Sequence, residues 1–198
     1  MSLFSYIGDY ARLMYRMIFV PAKEQTIHFD EAGWTITIPK GFEVLTDKRI
    51  SVLKTKGDIA FGALAGGLVN YPGKTRVAAI HEIQNVFGID FTNLDEFPES
   101  VWKQQKNNLH NTILSGMYEA YKGFAYVNIA TETDARQKGE VVFETFEIII
   151  TTPQRELRRI RYFSTVYKNY GIHIVMSFAE PKAGEQMLDA LRNSTFTV

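Results

Sequence analysis

The chain of 198 residues carries 22 basic and 22 acidic side chains, so no net field draws it to nucleic acid or to an anionic membrane. It contains no cysteine, which removes thiol catalysis, disulfides and cysteine-ligated zinc or iron–sulfur clusters. A hydrophobic fraction of 45%, with 14 Phe, 10 Tyr and 2 Trp, suffices for one well-filled core, and a single domain with a terminal appendage is the expected organisation.

No unbroken apolar run approaches the roughly 18 residues of a membrane-spanning helix. The first residues lack the positive cluster of a leader, and Asp9, Arg12 and Arg16 interrupt the apolar stretch. A cytoplasmic location is the default expectation, with an exported form that has lost a leader as the alternative. Leu3 to Val20 reads as an amphipathic helix stopped by Pro21, so residues 1–22 form the appendage and 23–198 the α+β domain. Phe4, Ile7, Tyr10, Met14 and Met17 lie on its wide apolar arc. That arc either packs on the sheet or serves to dock a partner chain. A membrane surface is the less favoured target, because only two arginines line the polar side.

From Thr26 the period changes to two. Thr26 to Phe29 and Gly33 to Ile38 read as a hairpin through Asp30-Glu31-Ala32, with Trp34, Ile36 and Ile38 on one face. Pro39 and Gly41 end that strand, and Phe42 to Leu45 continues extended. Ile50 to Leu53 and Ile59 to Leu64 suggest two further short strands. Val77, Ile80, Ile83 and Phe87 have helical spacing, which predicts a helix over 75–87. A second helix beginning near Asn93 or Asp95 places Phe97, Val101, Trp102, Leu109 and Ile113 inward. Its outer face is read as Lys103, Gln104, Lys106, Asn107 and Asn111. The tyrosine-rich stretch 116–123 has no clear pattern.

The last third is the most legible. Runs at 124–131, 140–152, 157–168 and 172–178 are joined by short polar turns, and such connections permit only antiparallel pairing. In the last run Ile172, Ile174, Met176 and Phe178 alternate with His173, Val175 and Ser177. A helix over 181–192 turns Ala183, Met187, Leu188 and Leu191 inward, with Asn193 as its cap and Phe196 folding back onto the sheet. The expected fold is therefore α+β: a twisted, mainly antiparallel sheet flanked by helices, an α/β/α sandwich.

Candidate chemistry is sparse. Gly66 to Thr75 superficially matches a phosphate loop. However, Leu68 stands where that motif needs glycine, and Pro72 lacks an amide donor. His28 and His173 occupy strands that neighbourhood could bring together, with Glu144 or Glu147 as a third ligand to a metal. Glu144 and Glu147 have opposite parity and leave opposite faces of a strand, so they do not form an acid–base pair. Arg155, Arg159 and Arg161 share one face. They form either a small anion patch or a set of cross-strand partners for Glu140, Glu144 and Glu147. If a polar ligand pocket exists, His28, His173, Glu144 and Arg159 are its expected lining. No cofactor, metal or catalytic set is expected.

The strand entry "GWTITIPKGFEVL", a long middle helix, the meander and the closing "FAEPKAGEQMLDALRNSTF" together resemble the PsbP-like fold family. That family includes the extrinsic photosystem II subunit, Ran-binding nuclear-import proteins and many bacterial relatives. The resemblance runs from Gly33 to Phe196 and implies a non-enzymatic binding or assembly module with a protein partner or self-association. An enzyme with an unrecognised polar pocket and a membrane-peripheral protein are the alternatives.

Overall fold

The computed structural model describes residues 22–47, 50, 74–81, 85–130, 136–138 and 141–197. In chain order its elements are β1 (Gln25–Phe29), β2 (Trp34–Ile38), β3 (Glu43–Val44), β4 (Lys74–His81), β5 (Asn85–Asn93), α1 (Glu99–Tyr121), β6 (Tyr126–Ala130), β7 (Arg136–Lys138), β8 (Val141–Thr151), β9 (Glu156–Tyr167), β10 (Tyr170–Phe178), α2 (Pro181–Asn193) and β11 (Thr195–Phe196). The expected first helix and the strands at 50–53 and 59–64 lie outside the described residues, apart from Ile50. So does the glycine-rich loop before Lys74.

The large sheet has the order β3-β4-β5-β10-β9-β8-β6, with β7 pairing on the start of β8. A small sheet, β1-β2-β11, stands apart from it. Every described strand pair is antiparallel. The fold is thus α+β with antiparallel sheets and two described helices. Short turns enforce this arrangement in the last third, where β8, β9 and β10 form the meander read from the sequence.

The helix expected over 75–87 is absent, and β4 and β5 stand there, paired from Lys74↔Phe91 to His81↔Asn85. The period-two signal is carried by Phe87, Ile89 and Phe91, all buried on one face, which extends past the point where helical spacing stops. Val77 and Ala79 answer them across the pair, and a register irregularity between Thr75 and Val77 blurs the alternation. Tertiary pairing with β10 overrides the local spacing.

Two cores fill the two faces of the large sheet. On the first, Phe87, Ile89, Phe163, Ile172 and Ile174 meet Trp34, Ile36 and Ile38 of the small sheet and Met187 and Leu188 of α2. Trp34 is fully buried between Phe29 and Phe196, whose ring stacks on it at 5.3 Å and 1°. That stacking realises the expected return of Phe196, although the cap of α2 is Ser194, not Asn193. The Ser194 backbone N–H and hydroxyl both donate to the Leu191 carbonyl. The hairpin needs glycine at Gly33, where φ is +57° and a Cβ would meet Thr197 Oγ1 at 2.7 Å.

On the second face, α1 lays Leu109, Ile113 and Met117 over Val127, Ile148, Ile150 and Ile160. Trp102 anchors the start of the helix by lying flat where Gly171 has no side chain. A Cβ there would fall 2.5 Å from the indole.

Candidate functional site

Alternation along four neighbouring strands brings a row of polar residues under α1. Glu144 of β8 pairs in register with Ser164 of β9, Ser164 with His173 of β10, and His173 with Asp90 of β5. Directly opposed residues share a face, so this row crosses the middle of the sheet. Helical spacing then sets Lys106 and His110 above it, one and two turns beyond Trp102.

Lys106 was expected on the outer, solvated face of its helix. Instead it is buried at 6% exposure, because positions 102, 106, 109 and 113 form one stripe. Its ammonium donates to Glu144 Oε2 and, at 3.4 Å, to Ser164 Oγ, and lies 5.7 Å from the Trp102 ring. The hydrogen bond from Lys106 holds the Glu144 carboxyl below the usual carboxylate range.

His110 and His173 meet through their Nε2 atoms at 3.3 Å, a contact in which one neutral ring donates its N–H to the other. His110 stacks on Phe146 with centroids 4.7 Å apart, and His173 stacks on Tyr162 at 5.5 Å. Burial first, and Lys106 second, push the His110 imidazole down to about 4. Burial, His110 and Lys106 push His173 down to about 3. Burial also raises the Tyr162 hydroxyl. Near neutral pH this is a packed, uncharged aromatic pair beside one ion pair.

Of the four residues expected to line a pocket, the structure brings together His173 and Glu144 only. His28 lies in β1 of the small sheet, bonded to Thr35 Oγ1 at 2.7 Å and 3.2 Å from Asp30, and β1 pairs with β2 alone. Arg159 projects from the opposite face, where it and Arg161 converge on Glu147. Arg159 also binds Glu156 at 2.8 Å. The arginines are therefore cross-strand partners of a buried carboxylate. Among the described residues no three His, Asp or Glu side chains are grouped to hold a metal. Lys106 and His110 escaped the sequence reading, although their i, i+4 spacing on the stripe of Trp102 and Ile113 was the available signal.

A different feature faces solvent. Beyond the end of α1 the chain turns through Gly123, and Phe124 and Tyr126 stand 68% and 64% exposed. Tyr118 and Ile129 are also exposed, and Phe124 stacks on Tyr121 at 6.4 Å. Tyr126 and Ile129 belong to β6, the last described strand in the large sheet's order, and the others precede it in the chain.

No family model matches the chain, and no curated protein matches it in sequence. Among solved structures it is similar to the solution structure of cyanobacterial PsbP (CyanoP) from Synechocystis sp. PCC 6803. The TM-score is 0.53, and the match covers 89% of this chain and 94% of that one at 14% identity. The fold is PsbP-like. At that identity the likeness is one of architecture, and it agrees with the resemblance carried by the GWTITIP strand and the closing helix. No helix among the described residues is long and apolar enough to cross a membrane.

Proposed function

We propose that this chain is a non-enzymatic protein-binding or assembly module, and that the aromatic margin along β6 is where a protein partner or a second copy engages it. The observation that carries this reading is the exposure of Phe124 and Tyr126 at the start of the last described strand of the large sheet, with Tyr118 and Ile129 exposed nearby in the chain. Among the described residues β6 has one strand neighbour, β8, and a strand edge of that kind offers backbone donors and acceptors, while aromatic side chains are enriched at interface centres. The inward-turned polar row supports the same reading. His173 and Ser164 are each 3% exposed and engaged within the protein, so no substrate reaches them as the fold stands.

The test compares the intact chain with a Phe124→Ser/Tyr126→Ser variant in co-purification from native extract and in sedimentation. The expected result is a partner, or a second copy, retained by the intact chain and lost by a variant whose circular dichroism is unchanged. Identical recovery and identical sedimentation for both would overturn the assignment of the margin. A third arm lacking residues 1–22 separates this surface from the apolar arc of Phe4, Ile7, Tyr10, Met14 and Met17.

A further inference from the structure

We infer that the His110–His173 contact is an acid-labile latch that fastens α1 to the sheet, so that mild acid lifts the helix and dismantles the aromatic margin at its far end. Three geometric facts carry this. The two rings lie on different elements, His110 on α1 and His173 on β10, and they meet nitrogen to nitrogen at 3.3 Å. That contact requires at least one ring nitrogen to keep a lone pair, and two imidazolium rings can only repel. The remaining cation in the cluster, Lys106, sits one turn away on the same helix and is itself buried.

Among the described residues, charged and titratable groups face the pair from α1, β5, β8 and β9. They are Lys106 from α1, Glu144 from β8, Tyr162 from β9 and Asp90 from β5, the register partner of His173. Glu144 favours a protonated His110, but its carboxylate is engaged by Lys106. Tyr162 stays neutral throughout the acid range because burial raises it further.

The sign follows from where protons bind. Docked, both rings stay neutral until the pH approaches about 4 for His110 and about 3 for His173. Released to water, each binds one near the ordinary value of about 6.5. The released state therefore binds more protons between those limits, and docking is strongest above pH ~6.5 and weakens as the pH falls. At pH ~5 each released ring favours opening by about 30-fold, and both together by about 1000-fold. Most carboxylates keep their charge at that pH, so the window isolates the imidazoles.

What opening does to a partner rests on the margin proposed above, since Tyr118 belongs to α1 and Phe124 to the turn that follows it. The latch does not. Hydrogen exchange on the intact chain tests it directly. Protection factors for α1 should fall by about two to three orders of magnitude between pH 7 and 5, while those of β1, β2 and α2 hold. A His110→Phe/His173→Phe variant should keep α1 protected across the same interval. Unchanged protection in the native chain at pH 5, or an equal loss in the double variant, overturns the latch. If the variant does not fold, the imidazole proton resonances of the unaltered chain decide. Either ring titrating near 6.5 while α1 stays protected sinks the proposal. Loss of α1 protection without any partner having been captured at pH 7 would leave the latch standing and remove the margin's role.

Discussion

On one face of the large sheet Phe87, Ile89, Ile172 and Ile174 meet Trp34 and Leu188, with scarcely a polar atom among them. On the other, His173, Ser164 and Glu144 meet Lys106 and His110 in the middle of an otherwise apolar contact. Both faces are covered, but by different physics. Apolar burial contributes stability roughly in proportion to area and tolerates small shifts. An ion pair with one buried partner gains little net of the desolvation of that partner, and its hydrogen bonds close in one register only. The first face thus holds the domain together, whereas the second fixes where α1 lies and under what conditions.

The largest test of this contrast is Trp34→Ala. It empties the joint where β2, Phe29, Phe91 and Phe196 stack, and a loss of about 3–5 kcal/mol is expected from chemical denaturation. The transition should remain cooperative and the denaturant slope unchanged. A loss below about 1 kcal/mol would mean that the small sheet contributes little to the fold. On the opposite face Gly171→Ala should cost less, about 1–3 kcal/mol, because the new methyl displaces the Trp102 ring without emptying a core. Its signature is local: hydrogen exchange should rise in the first turns of α1 and nowhere in α2. Equal loosening of both helices would show that the two faces are not separable.

How much of this was legible in the sequence follows the same division. The apolar face wrote itself in period two, so Trp34, Ile36, Ile38 and the alternation of Ile172 to Phe178 could be read directly. Phe196 could be placed because an aromatic after a helix stop must be buried somewhere. Residues 75–87 misled because Val77, Ile80 and Phe87 satisfy a helical period by coincidence, while Val77 and Ile80 pair with Ile89 and Val86 of β5 and Phe87 meets Met176 of the distant β10. The polar face was less legible. A lysine among Gln104, Gln105 and Asn107 looks solvated, and only the register of β8 and β9 beneath it brings Glu144 and the buried Ser164 within its reach. His173 and Glu144 were brought onto one face because both obey strand parity. His28 was not, since nothing local announces that β1 belongs to another sheet.

Within the large sheet itself, Glu147→Gln offers a smaller effect. The carboxylate is buried and accepts from Arg159 and Arg161, so removing its charge leaves two arginines with weaker acceptors. Arg159 keeps Glu156, and both guanidinium groups reach solvent in part, which limits the expected cost to about 1–2 kcal/mol. Thermal denaturation in low and high salt checks it. A cost that does not shrink at high salt would place Glu147's role in packing.

The smallest effect is expected from Lys106→Met, and it discriminates best between the two kinds of cover. Methionine reproduces the stem that packs beside Trp102, and the abandoned Glu144 is mostly exposed and can hydrate, so no buried charge is left without a partner. Stability at pH 7 should change by less than about 1 kcal/mol, in either direction. The ammonium also helps to depress both imidazoles, so its removal raises their docked values toward 6.5 while the released values stay put. The interval over which acid opens α1 must therefore shorten from its acidic end. Protection of α1 in the variant should fall less steeply between pH 5 and 4 than in the native chain. A variant much weaker at pH 7 would make Lys106 a stabilising element of the core. Neutral stability with an unaltered acid profile would show that burial alone, and not the neighbouring cation, keeps the two rings uncharged.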